Sequence, residues 1–184
     1  MTGIDPDAAT PPDSDDLVSW TFIRSRFEDW VADPAFHVIN ADQSLYYMDN
    51  LSTQVGRVAD LLHVGGFFIA TCWSKEDTLH QIRVRLFHDR SGDLVGEQLI
   101  PDIASCGRLE LIEQSVFRTQ VDLGMWRQSR ELLEAAVRII ARQEVRGKME
   151  EYVERLSQIL EGFPSRVPRV NVAIAARRME SQHS

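Results

Sequence analysis

The sequence predicts an α/β domain whose sheet contains parallel strands. Two apolar runs, residues 36–40 and 67–73, are each bounded by polar or glycine residues, as buried strands are. Between them, apolar residues recur at spacings of four, three and four, which is one face of a helix: Leu51, Val55, Val58 and Leu62. Two strands joined by a helical crossover form a right-handed βαβ unit. We therefore expect the two strands to lie side by side and to run in the same direction.

The ends of this helix are predicted from single residues. Asp49 or Ser52 can cap its start, because short polar side chains accept hydrogen bonds from the free amides of the first turn. Gly65 and Gly66 are expected to stop it, because glycine accepts the left-handed conformation that ends many helices.

The remaining elements follow from the same two periodicities. Strands are predicted at residues 18–25, 109–121 and 169–176, the last from the strictly alternating text RVNVAIAA. Ser74 is expected to open a helix, with Asp77 as its capping partner, and a short helix is expected at residues 100–105. Two amphipathic helices lie between the last two strands, separated by Gly147, and the second ends at Gly162.

Composition excludes several classes of function. The chain has 184 residues, a formal net charge of -8 and a pI near 5.1, which argues against binding a nucleic-acid backbone. It has no apolar run of membrane-spanning length, and its first residues are acidic rather than a secretory signal, so we predict a cytoplasmic protein with no membrane partner. Cys72 and Cys106 have no metal-ligand spacing, so no metal site and no disulfide are expected.

Residues 36–74 resemble the fourth strand, fourth helix and fifth strand of class I S-adenosylmethionine-dependent methyltransferases. The similarity lies in the aromatic start of the first strand, the loop text NADQSLYY and the Gly65-Gly66 turn into an apolar strand. The chain departs from the family where His37 replaces an aspartate and Val64 replaces a proline. The resemblance implies one incomplete Rossmann-like domain over residues 1–184. It also implies a mostly parallel sheet, an antiparallel C-terminal hairpin and a helical insertion at residues 124–162.

The resemblance also implies S-adenosylmethionine as cofactor and assigns residues to its nucleoside. Asp5 stands where the family has the acid that binds both ribose hydroxyls, and the alternative is a solvated N-terminal acid. Phe27 would pack on the adenine ring, and Glu28 or Asp29 would accept from its exocyclic amine. Alternatively, Phe27 and Trp30 are core residues and the acids are solvated.

The loop after residue 40 is assigned in the same way to the rest of the cofactor. Asn40 and Asp42 would hold the amino-acid part, and Tyr46 or Tyr47 would face the sulfonium or the substrate. Tyr46 is our candidate catalytic residue, as a polar group near the methyl acceptor. One tyrosine of such a pair is expected to belong to the core.

The glycine-rich motif of the family is missing from the sequence. The resemblance begins at Thr2 and runs to about Arg178, without the first strand and the GxGxG turn that receives the cofactor. We expect either a gap in the sheet or a rearranged order in which the strand at 18–25 pairs beside 36–40. The start of the chain is miscalled, the gene is a decayed remnant, or a partner supplies the missing part.

Two functions follow from these observations. The first is a methyltransferase acting on a small molecule, active only with an N-terminal unit. The second is a noncatalytic remnant of the fold that serves as an interaction partner, as a homo- or hetero-oligomer, with residues 127–161 as its binding face. An α/β hydrolase is excluded because the sequence has no GxSxG elbow.

Overall fold

The computed structural model describes residues 2–4, 21–31, 36–45, 48, 50–87, 96–141, 145 and 147–180. The strands in these residues are β1 (Thr2–Ile4), β2 (Thr21–Ile23), β3 (Phe36–Asp42), β4 (Leu62–Trp73), β5 (Leu109–Asp122) and β6 (Arg166–Arg178). The helices are α1 (Leu51–Leu61), α2 (Thr78–Phe87), α3 (Gly96–Cys106), α4 (Leu123–Trp126), α5 (Arg130–Ala141) and α6 (Met149–Glu161).

The main sheet has four strands in the order β3-β4-β6-β5. β3 and β4 are parallel, with Val38 opposite Phe67 and Asn40 opposite Ile69, and α1 connects them. The predicted βαβ unit is therefore confirmed. β6 is antiparallel to both β4 and β5, so the C-terminal strands form the predicted antiparallel hairpin at the sheet edge, with α4, α5 and α6 inserted between β5 and β6.

The N-terminal strands form a second, separate sheet. β1 and β2 pair in parallel, with Thr2 opposite Thr21 and Ile4 opposite Ile23. The strand predicted at residues 18–25 thus pairs with β1 and not with β3, so in the described residues the expected rearranged order is wrong. In the part of the chain that the structure describes, β3 has a strand partner along one edge only.

Helix α1 differs from the prediction at both of its ends. Asn50 caps α1, accepting from the Thr53 amide at 3.3 Å, whereas Ser52 lies inside the helix and Asp49 lies outside the described residues. The helix ends at Leu61, and Leu62 already has extended backbone angles, so the glycines do not end it. They lie within β4 instead, where β3 and β4 shift register between Phe36 and Val38. A Cβ on Gly66 would lie 2.9 Å from the His63 carbonyl oxygen, so the close backbone approach at this shift requires glycine.

The main sheet has one covered face. Its strands contribute alternate apolar residues that pack under α1 and α3: Phe68, Ala70 and Cys72 from β4, and Val172, Ile174 and Ala176 from β6. The helices supply Val55, Val58, Leu99 and Ile103. Gly96 brings α3 against β6, since a Cβ there would lie 2.5 Å from the Val172 Cβ. We call this side of the sheet the covered face and the opposite side the open face.

A second core lies at the end of the main sheet. Trp73 and Val167 pack with residues of α2, α4, α5 and α6, including Leu79, Ile82, Leu123, Ile140 and Leu156. The buried guanidinium of Arg83 donates to the carbonyl oxygens of Ile140 at 3.3 Å and Ala141 at 2.9 Å. These are free acceptors at the end of α5. The predicted helical insertion is thus anchored to the sheet through α2.

Asp77 joins this helical region to the sheet. Its fully buried carboxylate caps α2 by accepting from the Leu79 amide at 2.8 Å. It also accepts from the Val170 amide of β6 at 2.7 Å and from Arg169 Nε at 2.9 Å. Ser74 does not open the helix, because α2 begins at Thr78. The Ser74 hydroxyl instead donates to Glu97 at 2.6 Å.

Replacing Asp77 by alanine is expected to lower the free energy of unfolding by about 3–5 kcal/mol, because the buried Val170 amide and the partly buried Arg169 guanidinium lose their acceptor. Glu76→Ala is the matched control, since Glu76 is exposed and makes only a 3.7 Å ion pair with Arg118, which contributes less than about 1 kcal/mol. Urea unfolding followed by circular dichroism measures both. Equal losses in the two variants would contradict the assigned role of Asp77.

Candidate functional site

A polar cluster lies where β3 and β4 end. Asp42 closes β3 and accepts a hydrogen bond from the Thr71 hydroxyl of β4. Gln43 follows with a positive φ of 49°, and its Nε2 lies 3.4 Å from Thr71 Oγ1 and 3.2 Å from Asn171 Oδ1. Asn171 is buried on β6. These four side chains hold the carboxyl end of β3 to the centre of the sheet, the place where open α/β sheets bind ligands.

A cavity of about 170 Å³ lies beside β3. Thr2 and Ile4 of β1 line one wall. Residues of β3 and the elements after it line the rest, including Val38, Asn40, Leu45 and Val58. Phe27 and Trp30 also reach it, and the Trp30 ring contacts Phe36 at 5.8 Å between centroids. The cavity therefore occupies the gap between the two sheets.

The turn after β2 is fixed by Arg57 of α1. The Arg57 guanidinium lies over the Phe27 ring at 5.3 Å and donates to the Glu28 carbonyl oxygen at 2.8 Å. Arg26 forms an ion pair with the Glu28 carboxylate at 3.2 Å. Phe27 is half-buried against the main core. The turn is thus positioned from α1, whereas its own strand is only three residues long.

The structure brings some of the predicted cofactor residues together. Phe27 and Asn40 line the same cavity, and Asp42 lies two residues beyond Asn40 at the end of β3. The Glu28 carboxylate faces Arg26, which competes with any other donor for it. Asp5 and Tyr46 lie outside the described residues, as does the alternative Tyr47.

The polar partners of Asp42 were not predicted from the sequence. No sequence feature indicates the role of Thr71, because threonine is a common residue in strands. The left-handed backbone of Gln43 is not readable from its residue type. Asn171 does carry a signal, since it is the polar residue inside the apolar alternation of β6, and burial of such a residue requires a hydrogen-bond partner.

Solved structures share this arrangement of elements. A protein from Bacillus halodurans C-125 assigned to the methyltransferases superposes with a TM-score of 0.58 at 13% identity, covering 88% of this chain and 72% of that one. The chain has the fold of the class I S-adenosylmethionine-dependent methyltransferases. The YcgJ protein from Bacillus subtilis superposes with a TM-score of 0.58 at 10% identity, covering 90% of this chain and 74% of its own.

This methyltransferase fold also carries other chemistry. The [4+2]-cyclase SpnF superposes with a TM-score of 0.50 at 16% identity, and the match covers 87% of this chain and 56% of the cyclase. No protein-family model matches the sequence, and no curated protein matches it. At these identities the similarity establishes the fold, and activity has to be argued from the site.

The described residues offer neither a metal cluster nor a membrane-spanning helix. They contain no group of three or more His, Cys, Asp or Glu side chains that could hold a metal ion. None of their helices has both the length and the apolar character needed to cross a bilayer. Cys72 and Cys106 are both free thiols.

Arg57→Ala is expected to loosen the turn that presents Phe27. Loss of the guanidinium bond to Glu28 should speed hydrogen exchange of the Asp29 and Trp30 amides, which bond to the Arg26 carbonyl oxygen at 3.2 Å, by about tenfold or more. Arg85→Ala is the control, since Arg85 stacks on Phe163 at 5.0 Å in the other core. An equal change in the control would show that the effect is not local.

Proposed function

We propose that the chain is part of an S-adenosylmethionine-dependent methyltransferase that acts on a small molecule and is active when a further N-terminal strand-turn-helix unit completes the domain. The observation that carries the proposal is that Phe27 and Asn40 line one cavity, with Asp42 two residues beyond Asn40 at the end of β3, within a methyltransferase strand order. Residues predicted for two parts of one cofactor, the adenine and the amino-acid part, thus lie near β3.

The side chains fit the parts of the cofactor assigned to them. The half-buried Phe27 ring offers an apolar face to a nucleobase, and Arg57 holds it in place from behind. Asn40 and Asp42 are exposed, and their oxygens can accept from an ammonium group. Asp42 has a fixed orientation, because Thr71 donates to it. We assign Asp5 to the ribose hydroxyls on the resemblance alone.

The cofactor would supply an electrophilic methyl group on a sulfonium. The contribution of the chain is to hold the methyl acceptor in line with that group and to exclude water, since such orientation supplies most of the rate enhancement of a bimolecular transfer. Tyr46 is proposed as the polar residue beside the acceptor, where an aromatic face would also favour the sulfonium cation.

The size of the cavity supports the need for a further unit. Ligand sites enclose about 300–1,000 Å³, whereas the cavity beside β3 has about 170 Å³. Its walls come from β1 on one side and β3 on the other. On this proposal the described residues supply part of the cofactor site, and the glycine-rich turn belongs to the further unit. The free thiols of Cys72 and Cys106 fit a cytosolic setting for this enzyme.

A noncatalytic interaction protein is the second candidate. Its support is apolar surface, because Val38, Phe67 and Ile69 are all exposed on the open face. In the proposed binding face at residues 127–161, Ile139 is 54% exposed, and the described apolar side chains around it pack into the second core. If this candidate is adopted, the open face is therefore a better binding surface than the helical insertion.

Calorimetry with S-adenosylmethionine tests the proposed enzyme. We expect no measurable heat with residues 1–184 and clear heat with a form extended by the in-frame upstream sequence. In the extended form, Asp42→Asn should weaken binding by about tenfold or more, because a charge-assisted bond to the ammonium is lost. Glu113→Gln, an exposed substitution on β5, is the control. Absence of heat in both forms would exclude the enzyme.

Sedimentation tests the second candidate. An interaction protein that exposes Val38, Phe67 and Ile69 should associate with itself or with a partner, and Phe67→Lys should reduce that association. Ile139→Lys is the matched exposed substitution on α5. A chain that stays monomeric at all concentrations, alone and in extract, would count against this candidate.

A further inference from the structure

A larger cavity lies at the other end of the main sheet from the polar cluster around Asp42. It has a volume of about 820 Å³ and borders the beginning of β4, the turn between α3 and β5 and the end of β6. Ligand sites enclose about 300–1,000 Å³, so an organic molecule fits in this volume. Along β4, Gly65 in the cavity lining and Thr71 in the polar cluster are about 20 Å apart at the rise of a strand. The cavity is therefore separate from the proposed cofactor site.

Basic side chains line this cavity, although the protein is acidic. Arg108, Arg177 and Arg178 all contribute to its wall, whereas the formal net charge of the chain is -8. Glu180 is the one acid among the described residues of the lining. Arginine has a planar fork of N–H donors that matches the oxygens of phosphate and carboxylate groups. The lining thus favours an anion over a cation.

Two of the three guanidinium groups differ in how firmly they are held. Arg108 is fixed from α1, because it donates to the Asp60 carboxylate and, at 2.7 Å, to the Gly56 carbonyl oxygen. Arg178 donates to the Arg108 carbonyl oxygen at 3.5 Å, and no carboxylate pairs with it in the part of the chain that the structure describes. A guanidinium has five N–H donors. Most of those of Arg178 are therefore available to a ligand.

The third guanidinium can be taken over by a ligand. Arg177 lies opposite Glu110 in the β5–β6 hairpin and forms a 2.7 Å ion pair with it. Both side chains are about half exposed, and exposed ion pairs contribute little to stability. Glu110 is not among the described residues that line the cavity. A ligand with more than one negative charge can therefore compete with Glu110 for Arg177.

The rest of the lining leaves room for the body of a ligand. Gly65 and Gly107 have positive φ angles of 82° and 65°, and a Cβ on either would meet no atom within 4 Å. A ligand can approach the main chain closely at such glycines. Val64, which is 59% exposed, and Met179 add apolar surface. The cavity thus combines basic groups with bare backbone and apolar side chains.

We propose that this cavity binds a small organic polyanion, a molecule with two or more negative charges, on phosphate or carboxylate groups, attached to an apolar body. Arg178 and Arg177 bind the anionic groups, Arg108 adds a fixed positive charge, and Val64 contacts the apolar body. The ligand differs in kind from S-adenosylmethionine, whose sulfonium and ammonium groups are cationic. Its binding does not depend on the proposed methyl transfer.

Calorimetric titration of residues 1–184 tests the site with two matched probes. Phenyl phosphate carries two negative charges on one phosphate, and phthalate carries them on two carboxylates of the same kind of ring. We expect saturable heat with at least one of them at constant ionic strength, and the tighter probe identifies the anionic group. Benzoate, which has a single charge, should bind more weakly than phthalate.

Arginine variants test which side chains hold the probe. Arg178→Ala should weaken binding by about tenfold or more, because charge-assisted bonds are lost. Arg178→Lys should recover part of the affinity, since an ammonium keeps the charge but lacks the fork. Arg138→Ala is the matched control, because Arg138 is an exposed arginine on α5 that pairs with Glu134 at 3.6 Å.

Nuclear magnetic resonance of the unsubstituted chain locates the probe even if a variant fails to fold. The amides of Gly65, Gly107 and Arg178 should shift most as the probe is added. Absence of saturable heat with both dianions would overturn the site. An equal loss of affinity in Arg138→Ala, or amide shifts confined to other parts of the chain, would also overturn it, because binding would then reflect general attraction or a different surface.

Discussion

The main sheet depends on β4, which joins β3 to the C-terminal hairpin and is hydrogen-bonded along both edges. It runs parallel to β3 and antiparallel to β6, so it sets the direction of both of its neighbours. Its side chains alternate between a covered face, where Phe68 is fully buried, and an open face, where Phe67 is not. A strand with apolar residues on both sides is typical of a sheet with helices on both faces. The exposed apolar residues on the open face of β4 are therefore of the kind that a helix covers in such sheets.

Parts of the fold near one another in sequence were predictable. The α1 periodicity and the two apolar runs predicted the βαβ unit, and the alternation in RVNVAIAA predicted the last strand, whereas the hairpin was implied by the resemblance. The predicted end of α1 was wrong, because Gly65 and Gly66 were interpreted by residue type. What decides their role is a register shift against β3, which is a tertiary contact. The capping of α2 by Asp77 is similar, since the residue was identified but its bonds to Val170 and Arg169 join distant segments.

The residues of the site could be predicted only where their positions follow from the ends of predicted strands. Phe27 and Asn40 meet at the cavity because one follows β2 and the other lies near the end of β3, and both elements could be placed from the sequence. The orientation of Asp42 depends on Thr71, and the link from Gln43 to Asn171 spans most of the chain. Neither partner can be inferred from a single sequence, because Thr71 and Gln43 carry no local signal and the position of Asn171 predicts a hydrogen bond without saying to which residue. A fold shared at low identity with both a protein assigned to the methyltransferases and a cyclase does not supply them either.

The second core and the β1–β2 ribbon differ in how completely the described residues stabilise them. The second core is closed, because α2, α5 and α6 bury their apolar faces against one another and against Trp73. β1 and β2 are three residues each and pair only with each other, and a two-stranded ribbon is at best marginally stable by itself. Their position beside β3 is maintained by side chains around the cavity and by Arg57. Phe27, the residue proposed for the adenine, follows β2 and lies on this weaker half, whereas Asp42 ends β3 and is bonded to Thr71 of β4. The relative position of these two residues therefore depends on side-chain contacts and not on backbone pairing between the two sheets.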